Sequence, residues 1–359
     1  MPRKIASAPP HMIFLGTGAG KTAIAIACTK ALNLPTLFLT HRVNLLNQTA
    51  QRFTEQFPEC QNHIGLIGDG AFQPNHLTIA TVQTIQSRYK KDPKNIEKLL
   101  EKYKFLIIDE AHRSGSKQFH VPASLCKNAY YRLALTATPF MKGNAEEDMF
   151  LRGVAGDVIT KVDTDFLIEN GYLARPFFKF FSIEADDKEL KKLTNWQDIY
   201  EMGIVKNKKR NKIICSQTRK LIESQKKVLI VVLNVKHGKL LTQIMKDIGI
   251  RVKFMHGSKS YKHREKALQE IAEDKLDVIV ATNIFDEGID VNNINVVILA
   301  AGTKSAPGLF QRTGRSMRKK DTDNYAIVID FIDKQNEKLF NHSMKRYNMV
   351  KNEKGFQIL

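Results

Sequence analysis

No apolar run in the 359-residue sequence approaches the roughly 18 residues that a membrane-crossing helix needs, so a membrane partner is not expected. Cysteine is sparse as well. Cys28, Cys60, Cys126 and Cys215 stand far apart, with neither a Cys-x-x-Cys pair nor zinc-ligand spacing. Free thiols in a reducing compartment are expected rather than a disulfide framework. Residues 1–10 carry two basic side chains, but the short apolar stretch after them runs into a glycine loop and not a cleavage site, so a secretory leader is not expected either. The last deficit is acidic: 37 Asp and Glu stand against 56 Lys and Arg, a formal net charge of +19. Such an excess attracts polyanions, without separating DNA from RNA or from a merely solvated basic surface. These absences together leave a cytoplasmic protein as the expectation.

What is present is ample core-forming material, 43% hydrophobic against 26% charged, on a length that suits two ordinary α/β domains. Short apolar runs alternate with longer amphipathic ones, the pattern of covered parallel sheets. Strands are expected over 12–15, 36–39, 77–80, 105–108 and 132–135, with an alanine-rich helix over 22–32. A strand over 177–183 and a polar, largely helical stretch to about 225 follow. Within that stretch Lys206, Lys208, Lys209, Arg210 and Lys212 read equally as a solvated helix face or a nucleic-acid contact. A second set of strands is expected over 228–233, 251–255, 278–281, 296–300 and 325–330, with helices over 240–248, 261–273 and 308–315. The resulting division is a first domain over 1–165, a connecting segment over 166–225 and a second domain over 226–359.

Leu15-Gly16-Thr17-Gly18-Ala19-Gly20-Lys21-Thr22 joins a short apolar strand to a helix. Gly16, Gly18 and Gly20 let backbone turn closely around an anion, while Lys21 reaches β- and γ-phosphates and the Thr22 hydroxyl meets Mg²⁺. Leu15 stands where the strict phosphate-loop pattern has glycine. Downstream, Phe105-Leu106-Ile107-Ile108 ends in Asp109-Glu110-Ala111-His112, placing two carboxylates at a strand's C-terminal mouth. Asp109 suits Mg²⁺ binding and Glu110 suits polarising the attacking water. ATP and Mg²⁺ are therefore the expected cofactors.

These motifs resemble the superfamily 2 helicases with a DEAH box, and the resemblance runs from Leu15 to about Tyr347. It implies tandem RecA-like domains with parallel sheets, of the P-loop NTPase class. Gly16, Thr17, Gly18, Ala19, Gly20, Lys21 and Thr22 would bind the nucleotide, with Gly288 and Asp290 of Asp286-Glu287-Gly288-Ile289-Asp290 contributing from the second domain. Gln311-Arg312-Thr313-Gly314-Arg315-Ser316-Met317-Arg318 resembles the arginine-finger segment, in which Arg315 and Arg318 would approach the γ-phosphate and Gln311 would arrange the site. His112, with Thr136 and Thr138 of Thr136-Ala137-Thr138-Pro139, would link the ATP site to domain movement.

The same resemblance implies a nucleic-acid track through Thr40, Arg42, Gln48, Thr81, Gln83, His256 and Thr282, side chains that contact sugar and phosphate without reading bases. Two softer patterns, Tyr200 to Asn211 and Asp330 to Tyr347, resemble phage and bacterial helicases that remodel branched DNA. They favour DNA over RNA as the partner. Only fourteen residues precede Leu15 and Pro9-Pro10 disfavours a helix there, so the adenine-contacting segment that most relatives carry is expected to be absent. The sequence thus reads as an ATP-dependent DNA helicase or translocase, with an RNA helicase or a nonhydrolytic DNA-binding subunit as alternatives.

Overall fold

The computed structural model describes residues 11–15, 20–111, 117–136, 148–149, 152–154, 156–184, 188–257, 261–282, 294–304 and 325–359. The chain divides into two compact units, Met1–Thr164 and Asp165–Leu359, each built on a largely parallel sheet. This is the tandem RecA-like P-loop NTPase architecture.

The first unit contains β1 (His11–Leu15), β2 (Thr36–Thr40), β3 (Ile64–Gly68), β4 (Ala71–Gln73), β5 (Leu77–Thr81), β6 (Phe105–Asp109), β7 (Tyr131–Thr136) and β8 (Asp157–Val162). Among the described residues they are ordered β4-β3-β5-β2-β6-β7-β1-β8, parallel throughout except for the β3–β4 hairpin. Every residue of β2 and β5 is buried, as both-face coverage requires. Alternate residues divide between two cores: Leu37, Leu39, Leu106 and Ile108 enter one, while Phe38, Ile79, Ile107 and Leu135 enter the other.

The second unit contains β9 (Arg175–Ile183), β10 (Val228–Val231), β11 (Val252–Met255), β12 (Val278–Ala281), β13 (Val296–Leu299), β14 (Tyr325–Asp333) and β15 (Gln357–Ile358). Their order is β11-β12-β10-β13-β14-β9-β15, all parallel. β9 pairs with β14 from Arg175 opposite Tyr325 to Ile183 opposite Asp333, knitting the start of the unit to its end. The helices expected over 240–248 and 261–273 appear as Val235–Asp247 and Tyr261–Ala272, and the one expected over 308–315 lies outside the described residues.

Polar groups are buried around the ends of these strands. Arg210 is fully buried, a correction to its reading as part of a basic surface run. Its Nε donates to Asp333 Oδ1 at 3.0 Å, its Nη1 donates to the Ala300 carbonyl at 2.9 Å, and its guanidinium lies 4.3 Å from the Phe331 ring centre. Arg346 makes a two-toothed pair with Asp330 at 2.8 and 2.9 Å and donates to the Thr303 carbonyl at 2.7 Å. A π-helical turn, Glu201–Val205, packs beside this network. A Cβ on Gly203 would lie 2.5 Å from Leu339 Cδ1, so any larger residue there would force that side chain to shift.

Gly302 has φ +63°, and a Cβ on it would lie 2.7 Å from Ile204 Cδ1. Gly302→Ala is therefore expected to destabilise by more than the roughly 1–2 kcal/mol of left-handed backbone alone. Gly249→Ala, at φ +81° with open space around it, isolates the backbone part. Thermal unfolding of the two variants checks this, and the larger loss belongs to Gly302→Ala.

Candidate active site

Parallel register brings the C-terminal ends of the first sheet's strands to one edge. Thr40 pairs with Thr81, Leu39 with Ile108, Asp109 with Leu135, and Phe14 with Thr136. Residues far apart in sequence thereby share the edge at which open α/β sheets form their sites. The Lys21–Leu32 helix starts at the same edge, following Gly20 at φ 81°. No side chain caps it and its first turn holds no acid, so its leading N–H groups and positive dipole end suit an anion.

Lys21 Nζ lies 3.8 Å from Glu110 Oε1, and the Glu110 N–H donates to Asp109 Oδ1 at 3.0 Å. Arg52 Nη1 donates to Thr22 Oγ1 at 3.2 Å. Sequence reasoning missed Arg52: it lies in the Val43–Gln56 helix, thirty residues from its partner, in no recognisable motif. Glu110 holds a left-handed backbone, φ 51°, a conformation that costs a non-glycine residue roughly 1–3 kcal/mol and clusters at functional sites.

Burial pushes the Asp109 carboxyl up to about 6; the Glu110 charge adds to this, while Lys21 and Arg52 oppose it. Two acids crowded in a partly dry site call for a further cation. The oxygens suited to hold it, the Asp109 carboxylate and the Thr22 hydroxyl, are hard donors. No cluster of three or more His, Cys, Asp or Glu side chains occurs among the described residues. That sparse set fits Mg²⁺, which keeps waters and substrate phosphates as ligands and does not require an all-protein cage. Asp109 and Thr22 would hold it.

The raised Asp109 value has a consequence for stability. The folded chain binds this proton more tightly than the unfolded chain, so stability falls as pH rises from about 4 through about 6, and the penalty persists above. Asp109→Asn is expected to raise the metal-free unfolding midpoint at pH 7.5, with the gain vanishing below pH 4. Thermal melts across that pH range check the sign.

The remaining expected residues are placed as follows. Gly16, Thr17, Gly18, Ala19, His112, Thr138, Gly288, Asp290, Gln311, Arg315 and Arg318 lie outside the described residues. Thr136 and Thr40 are fully buried, and Thr81 is 2% exposed with its hydroxyl donating to Thr84 Oγ1 at 2.8 Å. Arg42 and Gln83 are exposed, Gln83 Nε2 donating to the His41 carbonyl at 3.0 Å, and Gln48 is half-buried. In the second unit Met255 pairs with Ala281, so half-buried His256 and buried Thr282 leave adjacent strands at one sheet edge. The Thr282 N–H donates to the Met255 carbonyl at 3.1 Å.

Comparison with known proteins agrees with this layout. Residues 6–141 match the family described as type III restriction enzyme, res subunit, and residues 204–320 match the helicase conserved C-terminal domain. The chain is 26% identical to the DNA 3'-5' translocase XPB2 of Sulfurisphaera tokodaii, over 90% of this chain and 77% of that protein. It is 24% identical to the ATP-dependent DNA helicase uvsW of Enterobacteria phage T4, over 83% of this chain and 59% of that one. A relative from Sulfolobus islandicus filamentous virus is 25% identical, and the chain spans 63% of its length. Among solved structures, Saccharomyces cerevisiae Dbp5 bound to RNA and ADP BeF3 matches with a TM-score of 0.68 at 17% identity, covering 99% of this chain and 86% of that one. The Pyrococcus furiosus Hef helicase domain matches with a TM-score of 0.64 at 17% identity, covering 96% of each chain. Two tandem sheets, an anion-ready helix start facing paired acids, and family matches falling one on each unit give this chain the superfamily 2 helicase fold.

Proposed function

We propose that this chain is an ATP-dependent DNA helicase or translocase of the DEAH-box kind, coupling Mg-ATP hydrolysis to movement on, or remodelling of, duplex or branched DNA. The observation that carries the reading is the convergence of Lys21, Thr22, Arg52, Asp109 and Glu110 beside an uncapped helix start. In this reading the backbone from Gly16 through Thr22 cradles the phosphates and Lys21 neutralises their charge. Arg52 holds the Thr22 hydroxyl, Thr22 and Asp109 hold the metal, and Glu110 accepts the proton of the attacking water. Mg²⁺, when bound, neutralises charge on the phosphate oxygens. Arg315 and Arg318 donate to the transferred phosphoryl group, with Gln311, Gly288 and Asp290 arranging the nucleotide. His112, Thr136 and Thr138 relay its state.

Thr40, Arg42, Gln48, Thr81, Gln83, His256 and Thr282 form the strand track in the same reading, exposed Arg42 and Gln83 making the first contacts. Net charge of +19 supplies the non-specific attraction. The Sulfurisphaera and phage T4 relatives, a DNA translocase and a DNA helicase by name, support DNA as the polymer.

The test is a matched substrate panel. ATP hydrolysis is measured with single-stranded, duplex and forked DNA and with RNA of the same sequence, alongside strand displacement at the fork. Duplex or forked DNA is expected to stimulate most. Equal or greater stimulation by RNA would move the chain to the RNA helicases, and DNA binding without hydrolysis on any substrate would leave a nonhydrolytic subunit.

A further inference from the structure

The basic run that sequence reading left ambiguous is divided by the fold. Arg210 turns inward, while Lys206, Lys208 and Lys212 reach a groove of about 890 Å³ on the surface of the second unit. The groove lies between the Lys208–Glu223 and Val235–Asp247 helices. These run parallel: Asn211 Oδ1 accepts from His237 Nε2 at 3.0 Å near their starts, and Arg219 Nη2 donates to the Ile248 carbonyl at 2.9 Å near their far ends. The first contact is firmly seated, since Asn211 Nδ2 donates to the Val205 carbonyl at 2.8 Å and burial drives the His237 ring value down to about 3, keeping it neutral.

The two walls differ in character. Leu240, Ile244 and Ile248 stand at four-residue spacing along one side, and Leu240 and Ile248 are each 38% exposed. Lys208, Lys212 and Lys220 stand on a four-residue row along the other. Among the described residues these three lysines pair with no acid, and Glu223 is the single acidic side chain lining the groove. Residues four apart on a helix share a face, so an aliphatic row opposes a cationic row over about three helical turns.

We propose that this groove is a docking site for an acidic amphipathic helix of a protein partner. An aliphatic row at i, i+4 and i+8 on the incoming helix would cover Leu240, Ile244 and Ile248, and neighbouring Glu or Asp side chains would meet the lysine row. Nucleic acid fits the cationic wall but not its opposite. Bases are held by stacking on aromatic or arginine planes; no aromatic side chain lines the groove, and the one arginine that does, Arg219, is tied to the Ile248 carbonyl. The proposal does not depend on the catalytic reading, because no residue assigned to the ATP site or the strand track lines the groove.

The test uses the full chain and a fluorescein-labelled 18-residue synthetic helix with Leu at four-residue spacing flanked by Glu. Control peptides carry Leu→Ser or Glu→Lys, and a 20-nucleotide oligo-dT serves as competitor. Micromolar binding of the parent peptide is expected, weakened at least tenfold by Ile244→Glu and by Lys212→Glu/Lys220→Glu. The Glu→Lys peptide should recover binding to the lysine-reversed variant, which a general loss of structure would not produce. Lys212→Ala/Lys220→Ala serves where charge reversal impairs folding. Basal ATP hydrolysis should be unchanged in all of them. Binding insensitive to the Leu→Ser change or to every variant overturns the proposal, as does no binding at all. Displacement of the peptide by oligo-dT, with oligo-dT binding lost in Ile244→Glu, replaces it with a nucleic-acid site.

Discussion

Glu110→Gln is expected to lower nucleic-acid-stimulated kcat by at least about 100-fold, the contribution of a positioned general base, while ATP still binds. Glutamine keeps the size of the side chain but loses both its charge and its ability to take a proton. Lys21→Ala should behave differently. It removes the cation 3.8 Å from Glu110 and leaves phosphate charge uncompensated, so both ATP affinity and turnover fall. Arg52→Ala belongs between the two: freeing Thr22 Oγ1 from its 3.2 Å contact should raise the Mg²⁺ requirement more than it lowers saturated turnover. Steady-state kinetics across ATP and Mg²⁺ concentrations separate the three patterns, and an Arg52→Ala variant with wild-type Mg²⁺ dependence would remove Arg52 from the site.

The largest stability effect is expected at Arg346. Its side chain is almost wholly buried against Asp330, which is itself fully buried. Arg346→Met strands that carboxylate and is expected to cost about 3–5 kcal/mol. For a unit of this size that amounts to a drop of roughly 10 °C in the unfolding midpoint. Removing both charges, as in Asp330→Leu/Arg346→Met, should return most of the loss, because desolvation of the pair offsets much of its attraction. Calorimetry of single and double variants decides the matter. A double variant as unstable as the single one would mean that the contacts to the Thr303 and Phe331 carbonyls, and not the ion pair, dominate.

Which parts of this chain could be read in advance follows from the range of the interactions involved. β2, β5 and β6 are legible because both faces are covered and their residues are almost all apolar or β-branched. β8 is not, since five of its six residues are exposed, and β15 is only two residues long. β3 carries two glycines in five residues and reads as a turn. At the candidate site, Lys21, Thr22, Asp109 and Glu110 announce themselves through local spacing. Arg52 acts only through tertiary packing, and the left-handed backbone of Glu110 has no sequence mark.

The softer patterns show the opposite problem, in which residues stood out for reasons other than those inferred. Gly203, Ile204, Val205, Arg210 and Asn211 are buried, as are Asp330, Phe331, Ser343 and Arg346. Asn207 caps the helix that follows by accepting from the Arg210 N–H at 2.9 Å. Sterics at Gly203, helix capping and paired buried charges account for these spacings within the second unit, so they carry no direct sign of the nucleic acid. The proposed preference for DNA therefore rests on the Sulfurisphaera and phage T4 relatives rather than on these residues.

One site, built from Lys21 and Glu110, is proposed to hydrolyse ATP in response to nucleic acid. Its most direct measurement is the ATP hydrolysis rate of the wild-type chain, Lys21→Ala and Glu110→Gln, each with and without forked DNA in Mg²⁺ buffer. Strong stimulation of the wild type and near-background rates for both variants under either condition are expected. Equal hydrolysis by all three proteins, with or without DNA, would contradict it.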